Sequence, residues 1–270
     1  MTRAAGPIGD YVCTRSSCTR HAILIDPADQ APEVAAKRAI AAATAGSRMI
    51  LVGGSTDTDM DNVHATVVAI KEALELVNWA SSQDSEAHDS DDTIPVILFP
   101  QGAAALSPAA DGITFMMLMN STDPQFLIGE QVAGAPYVKK TGVEPIPMGY
   151  VICAPGGKAG KVGKADLIQP DDTQGVASYA MAAECYGFPM LYLEAGSGAS
   201  EPVSTELIRA ARDACDLTLA IGGGIKAPAA AKAAADAGAD WVITGTLTER
   251  FADADELRNS ISRIVQAIQN

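Results

Sequence analysis

Glu194 is a carboxylate at the end of an apolar run, and that placement suits acid–base chemistry. Met190–Leu193 leads into it, and Ala195, Gly196, Ser197 and Gly198 follow as a turn. A carboxylate beside a substrate hydroxyl can take its proton; a salt bridge to a neighbouring strand end is the competing role. Tyr192 lies two residues earlier, so on a strand both side chains leave the same face. Its hydroxyl can orient a substrate, or it is a core residue satisfied internally. Two further apolar runs end alike: Leu217–Ile221 meets Gly222, Gly223 and Gly224, and Trp241–Ile243 meets Thr244, Gly245 and Thr246. Glycine turns ahead of helix N-termini open backbone amides to an anion. Together the three predict one phosphate site with Glu194 beside it, although the same glycines also suit tight turns with positive φ. Asp26 ends an earlier run before Pro27, and Ser55 ends another after Gly53 and Gly54. A carboxylate and a hydroxyl, with waters and substrate phosphates, can hold Mg²⁺; an Asx turn and a helix cap compete for the same residues. Lys158, Lys161, Lys164 and Lys226 are candidate diphosphate contacts or solvated loop lysines.

Eight short apolar runs must position these groups: 22–25, 49–52, 94–99, 113–119, 147–152, 190–193, 217–221 and 241–244. Continuous apolar runs suit parallel strands buried on both faces. Helical patterns alternate with them. Val63, Val67, Ile70, Leu74 and Val77 form one helical face, as do Leu257, Ile261, Ile264 and Ile268. Eight such units predict an α/β fold, a closed (β/α)₈ TIM barrel, with the site at the C-terminal strand ends and phosphate after strands seven and eight. An open doubly wound sheet would place a Gly-x-Gly-x-x-Gly turn after the first strand, where Asp26-Pro27 stands. Phe115, Met117 and Met119 are candidates for an apolar groove or for ordinary core. Asp171-Asp172 reads as a helix start, and Ala154–Gly163 as a mobile glycine- and lysine-rich exit from strand five.

The 270 residues suit one barrel domain over 21–270, with 1–20 as a leader or cap and 81–93 as an acidic insertion. A net charge of −14 argues against nucleic acid and basic membrane-binding partners. The odd, scattered set of five cysteines indicates a reducing cytoplasm, and three unclustered histidines argue against zinc. No apolar run is long enough to span a membrane.

Leu24-Ile25-Asp26-Pro27, Gly53-Gly54-Ser55, Phe99-Pro100, Asn120-Ser121, Tyr192-Leu193-Glu194-Ala195-Gly196-Ser197-Gly198, Gly222-Gly223-Gly224-Ile225 and Gly245-Thr246 occur in this order. From about Ile23 to Thr246 the chain resembles the geranylgeranylglyceryl phosphate synthases and their heptaprenylglyceryl phosphate-forming bacterial relatives. The resemblance implies a barrel with an irregular segment in place of the third helix. It implies prenyl transfer from an allylic diphosphate to the 3-hydroxyl of sn-glycerol 1-phosphate, and a homo-oligomer. On that resemblance Asp26 and Ser55 bind Mg²⁺. Tyr192 through Gly198, Gly223, Gly224, Gly245 and Thr246 bind glycerol phosphate, and Glu194 is the base. The Asp-Asp-x-x-Asp motif of many prenyltransferases is absent, so metal binding is sparser. Another phosphate-binding barrel enzyme, an isomerase or lyase, is the rival. A Schiff-base aldolase would need a strand-end lysine, and no strand ends in one. A non-catalytic phosphate-binding barrel is the third reading.

Overall fold

The computed structural model describes residues 6–84, 93–247, 250–251 and 253–269. Its eight strands are parallel and close on themselves in chain order. They are β1 Arg20–Ile25, β2 Met49–Val52, β3 Val96–Leu98, β4 Gly112–Leu118, β5 Glu144–Ile152, β6 Met190–Glu194, β7 Thr218–Gly222 and β8 Trp241–Thr244. β1 pairs with both β2 and β8, which shuts the barrel. The helices are α1 Pro7–Cys13, α2 Pro32–Thr44, α3 Met60–Asp84, α4 Glu130–Thr141, α5 Gly157–Val162, α6 Thr173–Cys185, α7 Thr205–Ala214, α8 Pro228–Asp236 and α9 Ala254–Gln269.

Period-two alternation divides every strand between two cores. Ile146, Met148, Tyr150 and Ile152 of β5 join Met190 and Tyr192 of β6 inside the barrel. Val151, Leu191 and Leu193 point outward into the layer beneath the helices. That layer receives the helical faces expected from spacing, including Val63, Val67 and Ile70 of α3 and Leu257, Ile261 and Ile264 of α9. α2 and α8 approach through alanines, with Ala35, Ala39, Ala42 and Ala231 fully buried. Such small side chains explain how a chain with 5% aromatic residues packs its helices closely.

Between β3 and β4 the chain forms no helix; residues 99–111 are irregular, in agreement with the family resemblance. Asp172 caps α6 by accepting from the Gly175 amide at 2.8 Å, so the Asp171-Asp172 pair does start a helix. Three expectations change. The fifth strand begins at Glu144, three residues before Pro147, although Pro145 and Pro147 cannot donate to the ladder. The strand-five exit is not a free loop: it contains α5, and Gly156 donates to the Ala195 carbonyl at 2.8 Å. α3 continues through Asp84, so the polar stretch placed at 81–93 starts as helix; residues 85–92 lie outside the described residues.

The N-terminal end of the barrel is plugged. Trp241 Nε1 donates to the Val12 carbonyl at 2.9 Å. Arg20 stacks on the Trp241 ring at 4.0 Å and donates to the carbonyls of Tyr11, Val12 and Thr14. Glu144 accepts from the Ile8 and Gly9 amides of α1. The opposite, C-terminal end is therefore the open one.

Candidate active site

β6 carries Tyr192 and Glu194 on its inward face, and the strand ends there because the next residues must turn. Glu194 is 6% exposed. The Tyr192 hydroxyl donates to its Oε2 at 2.7 Å, and the Gly196 amide donates to its Oε1 at 2.6 Å. Burial raises the Glu194 pKa above the ordinary carboxylate value, and those two hydrogen bonds work against the shift. Burial, and then the nearby Glu194 charge, hold the Tyr192 phenol well above its usual pKa, so it stays a neutral donor. The carboxylate is thus held in place, poorly solvated and more basic than an exposed one.

The glycines around it are required by space. A Cβ on Gly222 would lie 2.1 Å from the Tyr192 hydroxyl, and one on Gly223 would lie 2.1 Å from Glu194 Oε1. Gly223 and Gly224 also adopt φ of +76° and +69°, where an L side chain is disfavoured. The three turns are tied together. The Gly198 amide donates to Thr246 Oγ1 at 3.3 Å, and Lys226 Nζ donates to the Ala199 carbonyl at 2.6 Å. They enclose a cavity of about 50 Å³ lined by Tyr192, Glu194, Ser197, Gly223, Gly224, Lys226, Thr244, Gly245 and Thr246. Leu193 and Ala195 do not reach it: they are fully buried in the outer layer, as strand alternation demands. Gly196 and Gly198 do not line it either; with φ of +104° and +73° they turn the chain, and their amides donate to Glu194 Oε1 and Thr246 Oγ1.

A second cavity, of about 150 Å³, opens from the same mouth. Asp26, Gly54 and Ser55 line it. Asp26 does form the Asx turn, with Oδ1 accepting from the Ala28 amide at 3.0 Å. A Cβ on Gly54 would lie 2.2 Å from Asp26 Oδ2, so glycine makes room for the carboxylate. From there the cavity passes Met116, Leu118 and Phe126 and reaches Ile113, Phe115, Leu106, Gly134 and Val138. It therefore leaves the barrel interior and runs over the outer face of β4, where residues 99–111 leave space that a helix would fill. Of the strand-four candidates only Phe115 lines it. Met119 packs outside the barrel, its sulfur 2.8 Å from where a Gly149 Cβ would be.

Both cavities share Ser55, Phe99, Tyr150, Ser197, Gly245 and Thr246 in their linings. Phe99, Tyr150 and Tyr192 pack together there, with ring centroids 5.2–5.8 Å apart. Tyr150 was not singled out from sequence; on β5 it shares the inward face with Met148 and Ile152. Glu130 and Gln131 of α4 were also missed; Glu130 accepts from the Ala103 amide at 2.7 Å and anchors the irregular segment. Asn120 and Ser121 have structural partners: Asn120 exchanges hydrogen bonds with the Ile152 backbone, and Ser121 donates to the Gly163 carbonyl. Of the four candidate lysines, Lys226 alone lines either of these two cavities. Lys164 pairs with Asp123 at 2.8 Å, and Lys158 and Lys161 are exposed on α5, whose Ala159 and Val162 face the cavity. His21 is buried between the Ser47 and Thr244 hydroxyls, and burial lowers its pKa to about 3. Among the described residues no group of three or more His, Cys, Asp or Glu side chains converges as a metal cluster.

The model of the PcrB family matches residues 14–266. A geranylgeranylglyceryl phosphate synthase of Methanococcoides burtonii is 42% identical over 252 residues, covering 93% of this chain and 94% of the relative. The crystal structure of (S)-3-O-geranylgeranylglyceryl phosphate synthase from Thermoplasma acidophilum, in complex with its substrate sn-glycerol-1-phosphate, matches with a TM-score of 0.83 at 38% identity, covering 94% of each chain. The wild-type synthase from Thermoplasma volcanium matches with a TM-score of 0.84 at 36% identity, over 97% of this chain and 96% of that one. With a family model spanning nearly the whole barrel and a relative 42% identical over 94% of its length, the chain belongs to the PcrB family.

Proposed function

We propose that this chain is a prenyltransferase that joins geranylgeranyl diphosphate to the 3-hydroxyl of sn-glycerol 1-phosphate and releases diphosphate, in archaeal membrane-lipid biosynthesis. One observation carries the reading: a small cavity that holds a buried carboxylate, a lysine and the glycine turns meets a longer, mainly apolar cavity at a shared mouth. A phosphorylated polyol suits the first, and an isoprenoid tail suits the second. The names of the relatives support the same pairing.

The chemistry follows from the residues. The acceptor phosphate sits on amides of the glycine turns, and its free hydroxyl turns toward Glu194. The allylic carbon then lies at the shared mouth. Its bond to the diphosphate oxygen breaks, and the electron pair leaves with diphosphate. The acceptor oxygen supplies the pair for the new carbon–oxygen bond, and its proton passes to Glu194. Phe99 and Tyr150 present aromatic rings where positive charge grows on that carbon, an interaction of the cation–π kind. Asp26 and Ser55 offer hard oxygen donors to one cavity, and the space left by Gly54 lets the carboxylate face it; these two residues would hold Mg²⁺. When bound, the ion neutralises charge on the leaving diphosphate. The five free cysteines favour a reducing cytoplasm, and among the described residues no helix is long and apolar enough to cross a membrane. Exposed Leu76, Val132 and Tyr186 leave apolar surface that a second copy can cover in a homo-oligomer.

The test is incubation with sn-glycerol 1-phosphate, Mg²⁺ and allylic diphosphates of graded length. The C20 donor should give the ether product. Glu194→Gln keeps an acceptor for Gly196 and a partner for Tyr192 and removes a buried charge, so it should unfold at no lower a temperature than wild type while turnover falls by roughly 10²–10⁴. A folded wild-type protein that forms no ether with any donor overturns the reading.

A further inference from the structure

We propose that Lys226 is the side-chain cation of the acceptor-phosphate subsite, held there by the turn that follows β6. The identity of the acceptor rests on the prenyl-transfer reading; the presence of an anion subsite does not. Among the described residues lining the two cavities, Lys226 is the one lysine or arginine, whereas Asp26, Glu130 and Glu194 all contribute carboxylates. A phosphate ester entering this surface meets like charge from those groups and from a chain of net charge −14. Backbone amides supply partial charges only, so a full positive charge at the same place decides whether a dianion is held.

The side chain is also fixed. Nζ donates to the Ala199 carbonyl at 2.6 Å and is partly buried. An ammonium has three donors, and this contact uses one. The bond joins the turn after β7 to the turn after β6, beside Gly223 and Gly224. The ammonium is thereby ordered before any ligand arrives, which lowers the entropy lost on binding. Lys226 thus does two jobs: it joins two phosphate-binding turns, and it carries the charge their amides lack.

Lys226→Gln and Lys226→Arg test this. Hydrogen bonds to charged groups are strong enough that Lys226→Gln should raise KM for the glycerol phosphate by roughly 10- to 100-fold. kcat and KM for the prenyl diphosphate should change far less, and Lys226→Arg should recover most of the loss. Inorganic phosphate is the independent probe: it should raise the Tm of wild type and of Lys226→Arg, but not of Lys226→Gln. An unchanged KM together with a wild-type phosphate response in Lys226→Gln overturns the assignment. So does a defect that arginine leaves uncorrected, because that marks a packing role. If wild type binds phosphate through Lys226 yet transfers no prenyl group, the prenyl-transfer reading fails and the Lys226 assignment stands.

Discussion

In the proposed role as base Glu194 must be an anion, and burial makes that anion costly. Burial raises its pKa, and the Tyr192 hydroxyl and Gly196 amide limit the rise. A base with a raised pKa loses activity at a higher pH than an exposed carboxylate would. Tyr192→Phe removes one of the two donors and keeps the ring against Phe99 and Tyr150. The Glu194 pKa should then rise further, and the acidic limb of the kcat/KM–pH profile should move to higher pH. A limb that stays in place would show that the hydroxyl does not set the ionisation. The linkage to stability has the matching sign. The native carboxyl binds its proton more tightly than the unfolded one, so the ligand-free protein loses stability as pH rises through the folded pKa. Glu194 and Tyr192 were legible as a pair because strand alternation puts residues i and i+2 on one face. Their mutual hydrogen bond was not, because it depends on rotamers.

The strand-end turns show what elements add to residues. Glycine after β6 and β7 was visible in the sequence as a turn requirement. The structure adds that Gly222 and Gly223 are small because Tyr192 and Glu194 occupy the space a Cβ would need. Gly54 stands in the same relation to Asp26, and its own φ is not in the left-handed region. Alanine there should leave the backbone unstrained and push the carboxylate aside. Gly54→Ala should therefore weaken Mn²⁺ binding followed by electron paramagnetic resonance and raise the Mg²⁺ needed for half-maximal activity. Unchanged metal affinity would remove Asp26 from the ion's ligands. The irregular segment between β3 and β4 has the opposite character, since its function is space: by forming no helix it leaves the outer face of β4 to the apolar cavity. Groove residues could not be chosen from sequence because that cavity draws on both faces of β4, and period-two alternation separates those faces.

For the whole molecule the two ends of the barrel have different work. The C-terminal end carries the cavities, and the N-terminal end is sealed by α1 through Trp241, Arg20 and Glu144. Arg20→Met keeps an apolar stem over Trp241 and gives up the charged donors to three carbonyls, a loss of about 3 kcal/mol. Tm should fall by several degrees, at roughly 2–4 °C per kcal/mol for a chain near this size. KM and kcat at low temperature should be unchanged, because the plug lies at the far end from Glu194. Kinetic effects without a stability loss would contradict this division of the barrel.

The sequence by itself determined the barrel, the order of its strands and the rim on which Asp26, Ser55, Glu194 and the glycine turns stand. Those follow from local periodicity and chain order, and a closed parallel sheet leaves little freedom in placing strand ends. Tertiary structure decided which lysine meets the site, that Phe99 and Tyr150 stand at the junction of two cavities, and that one cavity crosses to the outside of β4. Lys158, Lys161, Lys164 and Lys226 look alike in sequence. Only the direction of α5, the Lys164–Asp123 pair and the Ala199 carbonyl separate them. Which side chains share a cavity is set by packing between elements distant in sequence, and no local pattern encodes it.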